Sequence, residues 1–156
     1  GQMDQGARRG EGGRRLGLVP AIAGRRLTAV HLRGHSTHAA SRMQGRRDPM
    51  AAVAHVAFRL EELWKSGAFP PDFSCTVGRI ACRPNVGIVV PEEIDFTVDL
   101  RHVDVPTLVR GQETVEAMVA ACAAERGIQP EMRPLSASGG VRMPGDANNA
   151  PRYEAR

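Results

Sequence analysis

The stretch "EEIDFTVDLRH", residues 92–102, constrains the fold of this chain more than any other. Ile94, Phe96, Val98 and Leu100 fall on one side of an extended backbone, and Asp95, Thr97, Asp99 and Arg101 on the other. Side chains alternate faces along a strand, so this is a half-buried strand of an antiparallel sheet whose second face is left for water or a partner. A helix signal stands on each side of it. Upstream, Asp48 can cap a helix, and Pro49 fills the first helical position, where its missing N–H costs nothing. Val53, Val56, Ala57, Leu60, Leu63 and Trp64 then repeat at helical spacing, until Gly67, Pro70 and Pro71 end the helix. Downstream, Asp104 and Pro106 open a second helix with Leu108, Val115, Met118, Val119 and Cys122 inward and Gly127 at its close. Met50 and Met118 are expected as core filler.

Three further strands complete the pattern. In "RLTAVHLRG", Thr28, Val30 and Leu32 oppose Ala29, His31 and Arg33. "FSCTVGRIACR" has no proline between Phe73 and Arg83, which leaves it able to form an open sheet edge, whereas Pro130 and Pro134 confine "IQPEMRPL" to an edge of its own. The order strand, helix, strand, strand, helix, strand predicts an α+β fold. With right-handed crossovers it is a ferredoxin-like split βαβ (βαββαβ), a four-stranded antiparallel sheet with both helices on one face. Residues 1–24, rich in Arg and Gly, read as an extended lead-in segment, 25–135 as the domain, and the Gly-, Asn- and Pro-rich 136–156 as a poorly ordered tail.

Only 4% of residues are aromatic, so the core must come from Val, Leu, Ile, Met and Ala. The formal charge of +4 gathers early, at Arg8, Arg9, Arg14, Arg15, Arg25 and Arg26. This reads as a basic arm and not a nucleic-acid platform, because Phe96 faces inward and the central strands expose no aromatic ring for stacking. Cys75, Cys82 and Cys122 are odd in number, lack metal-ligand spacing and sit among apolar neighbours, which fits reduced thiols in a cytoplasmic protein. No apolar run reaches the length of a membrane span and no signal-peptide pattern is present. Neither nucleic acid nor membrane is therefore expected as a partner.

The loop "GHSTHAASRMQGRRD", residues 34–48, holds His35 and His38. On an extended loop, residues three apart point to opposite sides. No Cys, Asp or Glu stands at ligand spacing, so the two do not read as a metal pair. His55 and His102 are expected to be solvated.

"IAGRRLTAVHLRGHSTHAAS", "RRDPMAAVA", "TVGRIACRPNVGIVVPEEIDFTVDLRHVD" and "AAERGI", in this order, resemble the inserted lid, or dimerisation, domain of the metal-dependent amidohydrolases. The branch is that of N-carbamoyl-L-amino-acid hydrolases and allantoate amidohydrolases, relatives of the zinc aminoacylases and exopeptidases. The resemblance runs from about Gln2 to Ile128. It implies a hydrolase whose two divalent metals, Zn or Mn, sit in a separate catalytic domain and activate a bridging water. It also implies a lid that pairs two subunits. His38 matches the lid histidine, which implies oxyanion stabilisation in the partner subunit's site. Arg101 matches the arginine that grips the substrate carboxylate with its planar fork.

If the lid keeps that role, His38 and Arg101 should lie near one surface, with Arg101 free of any carboxylate. The plainer reading makes Arg101 a partner of Asp99 or Glu92. Departures from the pattern are several: Gln2 replaces a metal-ligating His, Arg25 a Gln, Ala40 a Gly, and Ile88 a substrate-binding Asn. The loop from His38 to Asp48 is also a residue shorter than the family's. The resemblance thus implies a lid and dimerisation domain of an enzyme cleaving linear C–N bonds. The chain is expected to form a homodimer, to hold no metal or other cofactor, and to be inactive without a catalytic domain encoded separately. The alternative is a non-enzymatic, self-associating ferredoxin-like module.

Overall fold

A computed structural model describes residues 21–142. Its elements are β1 (Ala21–Ile22), β2 (Gly24–Arg33), β3 (Thr37–His38), α1 (Pro49–Lys65), β4 (Ser74–Arg83), β5 (Val89–Val90), β6 (Glu93–His102), α2 (Val105–Ala124), β7 (Pro130–Ser138) and β8 (Val141–Arg142). The fold is α+β. The main sheet has the order β4-β6-β2-β7 with every neighbour antiparallel. Thus β4 and the proline-bearing β7 are its two edges, as their compositions predict. Two small sheets, β1 with β8 and β3 with β5, flank it.

One face of the sheet carries the core. Val30 and Leu32 of β2, with Ile94, Phe96, Val98 and Leu100 of β6, join Val53, Val56 and Leu60 of α1 and Leu108, Val115 and Val119 of α2 in one buried cluster. Both helices therefore cover the same face, and each large apolar side chain so buried contributes about 1.5–3 kcal/mol. Asp48 caps α1 by accepting from the Met50 and Ala51 N–H groups at 2.9 and 3.3 Å. Asp104 caps α2 by accepting from the Thr107 N–H at 2.9 Å and the Thr107 hydroxyl at 2.7 Å. Both helices end where Gly67 and Gly127 take φ of +70° and +64°, a conformation that costs glycine nothing.

The domain reaches beyond the boundaries drawn from composition. β2 begins at Gly24, β7 runs to Ser138, and β1 pairs with β8, so structure extends on both sides of 25–135. The expectations for 1–20 and 143–156 lie outside the described residues.

Several side chains depart from their expected surroundings. Of the two methionines expected as core filler, Met50 is 39% exposed on the first turn of α1, whereas Met118 packs against the core. Trp64, on the last turn of α1, is 63% exposed. It borders a groove of about 600 Å³ beside β4, shared with Leu63, Phe69, Phe73 and Val77. His102 is buried at 6% exposure: its position continues the inward series 94, 96, 98 and 100. Its Nδ1 accepts from the Asp104 N–H at 3.0 Å and its Nε2 lies 3.2 Å from Asp72 Oδ1. His55 is half-buried, with Nδ1 3.2 Å from Glu125 Oε2 at the end of α2. All three cysteines are free thiols. No helix among the described residues is long and apolar enough to cross a membrane.

Candidate functional site

The loop after β2 is pinned at both ends. The Gly34 N–H donates to the Glu92 carbonyl at 2.7 Å, and the His35 N–H donates to the Arg47 carbonyl at 3.0 Å. A side chain at position 34 would collide with that same Arg47 carbonyl, so only glycine permits the approach. Between the pins, β3 pairs Thr37 with Val90 and His38 with Val89. The Ala39 N–H donates to the Ile88 carbonyl at 2.8 Å, which sets Ile88, 60% exposed, beside the histidine.

His38 itself is exposed, and its Nδ1 accepts from the Ala40 N–H at 3.1 Å. A ring nitrogen that accepts is unprotonated in the neutral imidazole, so the ring proton lies on Nε2, free to be donated outward. His35 is also exposed, and nothing draws it towards His38. Among the described residues no group of three or more His, Cys, Asp or Glu is placed to hold a metal ion.

Arg101 stands at the far end of the sheet. β6 begins beside the His38 loop, where Glu93 pairs with Arg33, and ends where Arg101 pairs with Arg25 on one side and Ser74 on the other. At about 3.3 Å per residue, the length of β6 separates the two ends by roughly 25 Å. One chain therefore does not bring His38 and Arg101 to a common surface. Nor is the guanidinium free: Arg101 Nη2 donates to Asp99 Oδ2 at 3.0 Å, while Arg25 Nε donates to Asp99 Oδ1 at 3.1 Å. Asp99, not Glu92, is the partner, because residues two apart on a strand share a face.

The open face of the sheet holds a second polar group that reading the sequence missed. His31 Nδ1 lies 2.8 Å from Asp95 Oδ1, and Arg83 Nη2 donates to Asp95 Oδ2 at 2.5 Å. The bond from His31, then that from Arg83, holds the Asp95 carboxyl below the usual carboxylate range. The alternation of β2 and β6 placed His31 and Asp95 on the polar face; only the register of the two strands makes them opposite. On the edge strand, burial first and the Asp99 charge second push the Cys75 thiol up to about 12. A thiol so placed is no nucleophile at neutral pH.

No protein-family model matches the chain. Over 128 residues, 81% of this chain and 31% of the relative, it is 33% identical to an allantoate amidohydrolase of Bacillus subtilis (strain 168). It is 31% identical over 115 residues to an N-carbamoyl-L-amino-acid amidohydrolase of Pseudomonas sp. (strain NS671), covering 73% of this chain and 28% of the relative. Among solved structures, a hydantoinase/carbamoylase family amidase from Burkholderia multivorans superposes with a TM-score of 0.74 at 26% identity, over 79% of this chain and 30% of that one. The chain thus spans roughly three tenths of the length of the proteins it matches.

Proposed function

Since the chain belongs to the hydantoinase/carbamoylase family of amidohydrolases, as a part of the length of its relatives, we propose that it is the lid and dimerisation domain of an enzyme cleaving linear C–N bonds. The substrate class is N-carbamoyl amino acids or allantoate, the activities named for its relatives. In this reading His38 donates its Nε2 proton to the oxyanion that forms in the partner subunit's site, and Arg101 holds the substrate carboxylate. In the same reading, metal-borne activation of water is the work of a separate catalytic domain.

One observation carries the reading: His38 and Arg101 lie at opposite ends of the sheet, with β4, an edge strand among the described residues, running the whole distance between them. β4 starts beside Arg101 and finishes beside the His38 loop. Two copies joined antiparallel through β4 form one continuous sheet. In it, the His38 end of each copy lies alongside the Arg101 end of the other, only a few strand spacings of about 4.8 Å away. Two residues too far apart in one chain thereby become neighbours in a two-fold dimer. The apolar groove bounded by Trp64 and Val77 follows the same edge and supplies surface for the pairing.

Sedimentation of the whole chain should show a dimer at micromolar concentration. Val77→Pro, which sets a proline in the edge, should shift it to monomer while circular dichroism is retained. A species that stays monomeric up to about a hundred micromolar, where weak pairs still register, would exclude the lid reading. The second reading, a self-associating module without a ligand, is favoured by the Arg101–Asp99 bond and by the apolar Ile88. A dimer whose spectrum ignores N-carbamoyl amino acids and allantoate alike would leave that one standing.

A further inference from the structure

Arg46 is the only side chain among the described residues whose hydrogen bonds converge on the carbonyls of the His38 loop. Its Nη2 donates to the Ala39 carbonyl at 2.8 Å and also to the Ser41 carbonyl, and its Nε donates to the Arg42 carbonyl at 3.1 Å. The loop from Ala39 to Arg47 has neither helix nor strand, so these carbonyls have no ladder to point them anywhere. A guanidinium can gather several acceptors because its donors sit in one rigid plane, whereas an ammonium is a point charge on a flexible stem.

The peptide between Ala39 and Ala40 connects this grip to the histidine. Its carbonyl is the one Arg46 holds, and its N–H is the one that donates to His38 Nδ1. A trans peptide is planar, with C=O and N–H directed oppositely, so fixing one fixes the other. The Ala39 N–H, donated to the Ile88 carbonyl, anchors the same residue from its other side. We propose that Arg46 is a positioning residue for His38: it sets the Ala39–Ala40 peptide plane, aims the Ala40 N–H at Nδ1, and so keeps the neutral ring as an Nε2–H donor facing outward. The use of that donor on an oxyanion rests on the amidohydrolase reading; the positioning itself does not.

The test is NMR on the whole chain carrying ¹⁵N-labelled histidine, at a pH where His38 is neutral. In the native protein His38 Nδ1 should give the signal of an unprotonated nitrogen and Nε2 that of a protonated one. In Arg46→Gln the two signals should move towards each other as the tautomers average, and the Ala40 amide should exchange with solvent at least tenfold faster. Arg46→Lys should recover part of both effects. The His31 signals and the amides of β2 and β6 serve as controls for the fold. Should Arg46→Gln disturb those controls, Ala40→Pro removes the N–H while keeping the guanidinium, and the same change in the ring is expected. A His38 ring and an Ala40 amide that do not respond would overturn the proposal and leave the amidohydrolase reading untouched. A ring that responds in a chain indifferent to N-carbamoyl ligands would sink only the latter.

Discussion

Arg101 and Asp99 are bonded across one face of β6, Nη2 to Oδ2 at 3.0 Å, and Arg25 takes the other carboxylate oxygen at 3.1 Å. Asp99 therefore occupies the fork that an incoming carboxylate would need. An external carboxylate has to displace it, and the native chain should bind N-carbamoyl amino acids at millimolar concentration or worse. Asp99→Asn removes the competing charge. Hydrogen bonds to charged groups contribute roughly 1.5–3 kcal/mol when sheltered. The Arg101 side chain is 54% exposed, which trims the competition to about 1 kcal/mol and the expected gain to about fivefold in affinity. Chemical-shift titration of the native chain, Asp99→Asn and Arg101→Ala measures it. Binding no tighter in Asp99→Asn than in the native chain would mean that Arg101 is a structural partner only.

Cys75 supplies an alkaline limb to stability. Its thiol is pushed up to about 12, chiefly by burial, against about 8.5 in an unfolded chain. The unfolded state loses the proton first, so the contribution is fully present below about 8.5 and is lost as pH rises towards 12. Unfolding by urea followed from pH 8 to 11 should show a declining midpoint, and Cys75→Ser should flatten it. At pH 8 Cys75 is therefore almost wholly in the thiol form. Cys122 is also shifted up by burial. Iodoacetamide should therefore leave both unmodified in the folded chain and reach them only in denaturant. Rapid labelling of the half-buried Cys75 under native conditions would show that its thiol is not held in the protonated form.

What could be read from sequence was whatever repeats. The alternation in β6 gave its two faces, the two Asp and Pro pairs gave both helix starts, and the prolines of β7 made it an edge. His102 was within reach of the same logic. It shares the parity of Leu100 and Val98, and only its place at a strand end made it look solvated. The pairing of His31 with Asp95 depended on inter-strand register, and register is a relation between two stretches that neither one encodes by itself. The four two-residue strands are too short to have a period. Arg46 was illegible for a further reason: it acts on backbone carbonyls, and a loop that takes its shape from one guanidinium leaves no pattern in its other residues.

Asp95 supplies the acid limb. His31, first, and Arg83, second, hold its carboxyl below its ordinary value in the folded state. A carboxyl depressed by folding contributes stability above its unfolded value of about 3.9, and that contribution fades as pH falls through the folded one. Asp95→Asn should therefore make the loss of stability below pH 4 shallower than in the native chain. The side chain stands on the open face, so the difference is expected to be small and to shrink with added salt. Parallel acid profiles for the two proteins at low ionic strength would show that the His31–Asp95–Arg83 group does not act as a unit.

Gly111 lies in the middle of α2, facing the core, where its lack of a side chain makes room for a ring. A methyl there would stand 2.6 Å from Phe73 Cζ and 2.7 Å from Cε2. Helix propensity alone favours alanine over glycine by about 1 kcal/mol, so Gly111→Ala would stabilise an open helix. Phe73 cannot move freely, being buried and stacked on Phe69 with ring centroids 4.4 Å apart. Overpacking of a filled core costs about 1–3 kcal/mol, which outweighs the propensity gain. Gly111→Ala should therefore lower stability by about 1 kcal/mol net, and Gly111→Val by more. Because Phe69 and Phe73 also wall the groove beside β4, a displaced Phe73 should weaken self-association along that edge as well. Phe73→Leu, which clears the ring from the path of the new methyl, should restore the sign expected from propensity when combined with Gly111→Ala. A double variant no more stable than Phe73→Leu alone would place the strain elsewhere than at this contact.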